Sequence, residues 1–152
     1  MQVATVSIET KNGKNYSVSA IYCPPRYNPK KEDYIKLLKS LGSNFIIGGD
    51  FNAKNIFWGS NRTTPKGREL FEAGQILKCE FHSSRKPTYW PTDTNKIPDL
   101  LDFYITKGIS ENYLSVENEY GLSSDHSPVL MTLSTTIIRK PSPPRLTNNK
   151  TN

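Results

Sequence analysis

Only two cysteines, Cys23 and Cys79, occur in the 152 residues. That is too few for a disulfide framework, and two alone make no zinc site. They read as free thiols in a reducing compartment. No apolar run approaches the roughly 20 residues that a membrane-spanning helix needs. The opening Met1-Gln2-Val3-Ala4-Thr5-Val6 reads as a strand, with neither the basic flank nor the apolar stretch of a secretory signal. An intracellular protein with no membrane partner is therefore the expectation. Internal repeats are absent as well. Acidic residues are missing from the last stretch, where Arg139, Lys140, Arg145 and Lys150 carry four of the 20 basic side chains. Without those four, 16 basic residues face 14 acidic ones, and the net charge of +6 falls to +2. Bulk charge thus lends little support to nucleic-acid binding, and any affinity for phosphate must come from local placement. What is present, 35% hydrophobic and 22% charged residues, suits one globular domain with a real core.

Residues 3–10 and 16–22 are β-rich runs joined by Lys11-Asn12-Gly13-Lys14, and Asn-Gly between such runs signals a hairpin. Pro24, Pro25 and Pro29 then break the chain. From Lys31 a helix is predicted, with Tyr34, Leu37, Leu38 and Leu41 at i, i+3, i+4 and i+7 and Gly42 as its stop. Phe45-Ile46-Ile47-Gly48 is wholly apolar, as expected of a strand buried on both faces. Residues 49–63 have no period and read as a loop. Thr64-Pro65 looks like an N-cap followed by proline at the first helical position, opening a helix to about Lys78 with Leu70, Phe71 and Leu77 inward. Short strands follow over residues 79–82, 88–90, 100–106, 114–117 and 128–133. Residues 135–152, rich in Pro, Thr, Asn and Arg, read as a disordered tail behind a domain of residues 1–134. Two helices among about eight strands indicate a layered α/β architecture with a mixed sheet.

Three motifs lie at predicted strand ends, where loops carry reactive groups on a rigid scaffold. In Gly48-Gly49-Asp50-Phe51-Asn52, a carboxylate and an amide two residues apart suit holding a water while donating to a phosphate. The same residues also read as a turn in which Asp and Asn bond their own backbone. In Pro98-Asp99-Leu100-Leu101-Asp102-Phe103-Tyr104-Ile105, Asp102 interrupts an apolar strand and asks for a partner, unless the strand is an edge with Asp102 in solvent. In Ser123-Ser124-Asp125-His126-Ser127-Pro128, a histidine beside a carboxylate can be oriented and charged near neutrality, and Asp125 suits a hard cation. An ordinary polar turn is the other reading. His82 is the only other histidine and reads as a surface or strand-end residue.

Together and in this order, the three motifs resemble the endonuclease/exonuclease/phosphatase superfamily. Further runs narrow the likeness to the endonuclease domain of jockey-type non-LTR retrotransposons. They are Ala20-Ile21-Tyr22-Cys23-Pro24-Pro25-Arg26, Phe57-Trp58-Gly59-Ser60, Pro65-Lys66-Gly67-Arg68-Glu69-Leu70 and Pro87-Thr88-Tyr89-Trp90-Pro91-Thr92-Asp93. The likeness covers essentially residues 1–133. It implies a partial four-layer α/β sandwich, mixed sheets flanked by helices, and hydrolysis of DNA phosphodiesters with Mg²⁺ or Mn²⁺. By that resemblance Asp50 activates the attacking water, Asn52 contacts the scissile phosphate, His126 stabilises its charge and Asp102 holds the imidazole. Tyr22 and Lys54 would meet phosphate or DNA, and Asp125 would lie by the metal. Trp90 either braces a DNA-facing loop or packs, and Thr88 is equally ambiguous.

One departure is visible. Asn55 and Asn61 stand where this clade more usually has His and Arg, on a loop expected to face DNA, with Arg62 available to supply the displaced charge. The family's two opening motifs, including a Gln-Glu whose Glu is a main metal ligand, are not found. The expectation is a domain lacking its first strands and inactive by itself. A reverse transcriptase is expected in cis, with nuclear action on chromosomal DNA. A non-catalytic remnant or nucleic-acid-binding module is the alternative, and a small-molecule phosphatase of the same superfamily a second.

Overall fold

The computed structural model describes residues 1–11, 13–119 and 124–138. Its elements follow the chain as β1 (Gln2–Glu9), β2 (Asn15–Tyr22), α1 (Lys31–Ser40), β3 (Phe45–Asp50) and α2 (Pro65–Leu77). β4 (Glu80–His82), β5 (Asp102–Lys107), β6 (Leu114–Asn118) and β7 (Val129–Leu133) complete it, with 3-10 turns at Ile56–Trp58 and Glu111–Tyr113. This is the mixed α/β architecture that the patterning predicts. No helix among the described residues is long and apolar enough to cross a membrane.

Five strands form one sheet in the order β1-β2-β3-β5-β4. α1 returns the chain across the sheet, so β2 and β3 run parallel while every other neighbouring pair is antiparallel. β6 and β7 make a separate antiparallel ribbon, tied to the sheet where the Tyr104 hydroxyl donates to the Val129 carbonyl at 2.7 Å.

Both helices begin and end where local chemistry directs. Asp33 takes the Lys30 amide at the start of α1, and Thr64 takes the Gly67 amide at the start of α2. Lys78 closes α2 in the left-handed region at φ 54°. Tyr34, Leu38 and Leu41 of α1 and Leu70 and Ala73 of α2 pack over Ile21, Phe45, Ile47, Phe103 and Ile105 of the sheet. Phe51 and Trp58 stack on Phe103 with ring centroids 4.4 and 4.6 Å apart. The opposite face of the β1–β2 hairpin stays open: Val6 is 66% and Ile8 48% exposed. The apolar run 45–48 is accordingly buried on one face only, with Ile46 half-buried.

Three local expectations are corrected. Residues 88–90 are not a strand but a junction, because Thr88 and Tyr89 bond backbone to Asp99 while Trp90 bonds to Asp125. β5 starts at Asp102 rather than residue 100, because the Leu100 and Leu101 amides turn aside to Asp99 Oδ1 and Thr88 Oγ1. The stretch expected as loop contains a 3-10 turn, capped when Asn55 accepts the Phe57 amide at 2.9 Å. Of the expected tail, Ile138 donates its amide to Asn112, and residues 139–152 lie outside the described residues.

Candidate active site

β2 and β3 end at one edge of the sheet, and β5 begins there. Register sets Tyr22 against Asp50 and Asp50 against Asp102. Registered partners point to the same side, so the three side chains share a face.

Asp50 is the last residue of β3 rather than the first beyond it. Gly49 precedes it at φ +138°, where a Cβ would strike the Ile21 carbonyl, so only glycine fits. The Asp50 carboxylate accepts the Asn52 amide at 2.8 Å and the Asn52 side-chain Nδ2 at 2.6 Å. The self-bonded turn is therefore real, and it holds Asn52 at φ +46°, a strained value kept where surroundings enforce it. Burial pushes the Asp50 carboxyl up to about 6, and the neighbouring Asp102 adds to this. The Asn52 amide, His126 and Lys66 pull the other way. A carboxylate that takes its proton near neutrality suits a general base.

Asp102 has the partners that its place in an apolar strand demands. Its Oδ2 accepts the Thr88 hydroxyl at 2.8 Å and lies 2.8 Å from His126 Nδ1. The carboxylate only accepts, so Nδ1 carries the hydrogen and Nε2 is the nitrogen left for a substrate. Thr88 is fully buried, and its hydroxyl also accepts the Leu101 and Asp102 amides at 3.0 Å. The sequence left the role of this threonine ambiguous, and its hydroxyl is what ties Asp102 to the 88–90 segment.

The loop bearing His126 is braced by the 88–90 junction. Trp90 donates its amide to the Asp125 carbonyl at 2.7 Å and its indole N–H to Ser127 Oγ at 3.2 Å, and the Ser127 amide reaches the Thr88 carbonyl. Trp90, 46% exposed, thus braces rather than packs. The Tyr89 ring lies 4.9 Å from the imidazole. A cavity of about 260 Å³ opens between Gly49, Asp102, Tyr104 and His126.

Other expected residues stand apart from this cluster. Lys54 is not left free for phosphate, because its ammonium lies 2.8 Å from the buried Asp99 carboxylate. Asn55 is buried and donates to the Gly67 carbonyl, while the exposed Asn61 donates to the Pro98 carbonyl, so both tie their loop to the body. Arg62 beside them is exposed. His82 bonds Thr106 Oγ1 at 2.8 Å. Tyr22 is 45% exposed at the end of β2.

Asp125 is exposed, and its carboxylate has no partner among the described residues. Asp50 is engaged by Asn52, and Asp102 by Thr88 and His126. Among the described residues no three His, Cys, Asp or Glu side chains converge to hold a metal.

A family profile described as Endonuclease-reverse transcriptase matches residues 16–130. The chain belongs to that family. The domain is 36% identical over 145 residues to the RNA-directed DNA polymerase from mobile element jockey of Drosophila melanogaster, covering 95% of this chain and 16% of that protein. It is 34% identical over 154 residues to the probable RNA-directed DNA polymerase from transposon X-element of the same fly, covering 100% and 17%. The domain thus spans about a sixth of the length of these relatives. Its fold is shared with the endonuclease domain of TRAS1, a telomere-specific non-LTR retrotransposon, at a TM-score of 0.74 and 21% identity over 86% of this chain and 63% of that one. A 3′ phosphatase from Neisseria, NExo, bound to product DNA hairpin, shares it at 0.57 and 13%, over 86% and 64%. The family match agrees with the motifs: this is an Endonuclease-reverse transcriptase domain that shares the fold of a retrotransposon endonuclease domain.

Proposed function

We propose that the domain hydrolyses a DNA phosphodiester, nicking target DNA for a reverse transcriptase carried in the same polypeptide. The observation that supports this best is the His126–Asp102 pair at 2.8 Å, set on the same strand edge as the Asp50–Asn52 turn. Asp50, with its raised proton affinity, takes the proton of the attacking water. The second hydrogen of Asn52 Nδ2 and the Tyr22 hydroxyl are the donors for the phosphate oxygens. His126, oriented by Asp102 through Nδ1, turns Nε2 toward the negative charge that attack builds up. Dependence on Mg²⁺ or Mn²⁺ belongs to this reading through the resemblance. No step is assigned to a metal, and among the described residues Asp125 is the site carboxylate that would be free to lie beside one. Action in the nucleus follows if chromosomal DNA is the substrate.

The test is nicking of supercoiled plasmid with and without Mg²⁺. Both the chain by itself and the chain joined to the upstream sequence of a jockey relative should be assayed. The joined form is expected to nick only with the metal, and Asp50→Ala or His126→Ala should remove the activity while the protein stays folded. Near-normal nicking by either variant would sink the assignment.

A further inference from the structure

The β3–β5 ladder sets Asp50 against Asp102, and just past it the Phe51 amide donates to the Leu101 carbonyl at 3.2 Å. Beyond that bond two segments part, one running on from Asn52 and the other leading into Asp102. A charged side-chain rung rejoins them. Asp99 is 4% exposed, and its Oδ2 lies 2.8 Å from the Lys54 ammonium. Its Oδ1 accepts the Asn61 and Leu100 amides, each at 2.9 Å. A buried carboxylate is costly unless paired and hydrogen-bonded, and both oxygens of this one are engaged.

Each end of the rung is itself fixed. The Lys54 amide meets Thr64 Oγ1 at 3.3 Å, and its carbonyl accepts the Thr64 amide at 2.9 Å. Gly67 packs so closely on that carbonyl that a Cβ would not fit. At the other end, the Asp99 carbonyl accepts the Thr88 and Tyr89 amides at 3.0 and 2.9 Å, and its amide donates to the Tyr89 carbonyl at 3.1 Å. Tyr89 bridges both Asp99 and His126, antiparallel to each. A path of bonded segments thus runs from the turn bearing Asn52 through Lys54, Asp99 and Tyr89 to the loop bearing His126.

We propose that Lys54 and Asp99 are positioning residues for the hydrolysis: their ion pair fixes the Asn52 turn relative to the His126 loop, and Lys54 is not a contact to DNA. The inference rests on the proposed function. Fixed spacing acts on the rate of the bound complex, whereas a lysine on phosphate acts on affinity and its salt dependence.

Two variants break the rung. Lys54→Met leaves the buried carboxylate without its counter-charge. Lys54→Met combined with Asp99→Asn buries no charge and keeps an acceptor for the two amides. Leu38→Ala, a core cavity in α1, is the control for lost stability. Amide NMR of the chain needs no turnover. The Tyr89 and Ser127 signals, beyond the Asp99 end of the rung, should shift in whichever rung variant stays folded and keep their places in Leu38→Ala. In the chain joined to the upstream sequence of a jockey relative, the rung variants should lose ~10-fold or more in kcat for plasmid nicking. Their Kd for duplex DNA without divalent metal, and its slope against salt, should match wild type. Lys54→Arg, which keeps the ion pair, should return most of the rate. Weaker duplex binding with a salt slope reduced by about one and kcat retained makes Lys54 a phosphate contact and overturns the proposal. So do unmoved Tyr89 and Ser127 signals, or the same shifts and rate loss in Leu38→Ala. Shifted signals alongside no nicking by the wild-type joined form leave the tie between the two loops standing and overturn the hydrolytic reading instead.

Discussion

Asp50 and Asp102 face each other across the β3–β5 ladder, yet the chain surrounds them in unlike ways. Asp102 is held from distant segments, by a hydroxyl 14 residues away and an imidazole 24 residues away. Asp50 is held from within its own turn, by the backbone and side chain of Asn52. The distant partners turn Asp102 into an anchor for the His126 ring. The local ones fix Asp50 in place, while burial lifts its pKa toward neutrality. In the proposed reaction the two carboxylates on one face thereby take different duties, one orienting and one accepting protons.

If that division is right, the two sides should fail differently. The largest effect belongs to the groups nearest the chemistry. Asp50→Ala and His126→Ala should each lower plasmid nicking by ~10²-fold or more while the protein stays folded. Next comes Asp102→Asn, which keeps the shape but weakens the charged imidazole, and should cost roughly tenfold. Thr88→Val tests the distant support directly. It strands the Leu101 and Asp102 amides without their acceptor and should destabilise the fold by about 1–3 kcal/mol, read by denaturant titration. An unchanged midpoint would mean that the buried hydroxyl is dispensable.

The smallest effect concerns pH. Asp50 binds its proton more tightly folded, near 6, than unfolded, near its ordinary value of about 4. Its stabilising contribution is thus present below about pH 4 and is lost as pH rises through about 6. Asp50→Asn should therefore melt a few degrees above wild type at pH 7.5, with the gap closing at pH 4. Calorimetry at the two pH values decides it, and a constant gap contradicts the burial argument.

Periodicity made the packed half of the molecule legible. The spacing of Tyr34, Leu38 and Leu41 and the Thr64-Pro65 cap placed both helices, because those signals live within one turn of chain. Asp50, Asn52, Asp102 and His126 could be picked out as chemistry that strand ends do not need for packing. What stayed hidden depends on partners far away in sequence. Asp99 receives the Asn61 amide across 38 residues and Lys54 across 45, and Lys66 reaches Pro24 across 42. Thr88 takes part in the site through amides 13 and 14 residues on. No local pattern announces such pairings, so a lysine expected on DNA turns out to be neutralised, and another goes unnoticed while buried. The open face of β1 and β2 was illegible for a related reason: alternation shows which side chains share a face, not whether anything covers it.

The β6–β7 ribbon, fastened to the sheet near His126 by the Tyr104–Val129 bond, has a kinetic consequence. A two-stranded ribbon is marginally stable alone, so this corner should open more often than the five-stranded sheet beneath it. Each opening would swing the imidazole off Asp102, and turnover would then scale with the fraction of time the corner is shut. The amide hydrogens of Trp90 and Ser127, which bridge to the histidine loop and its brace, are the clocks for that breathing. They should exchange with solvent faster than the amides of Ile47 and Ile105 in the sheet interior.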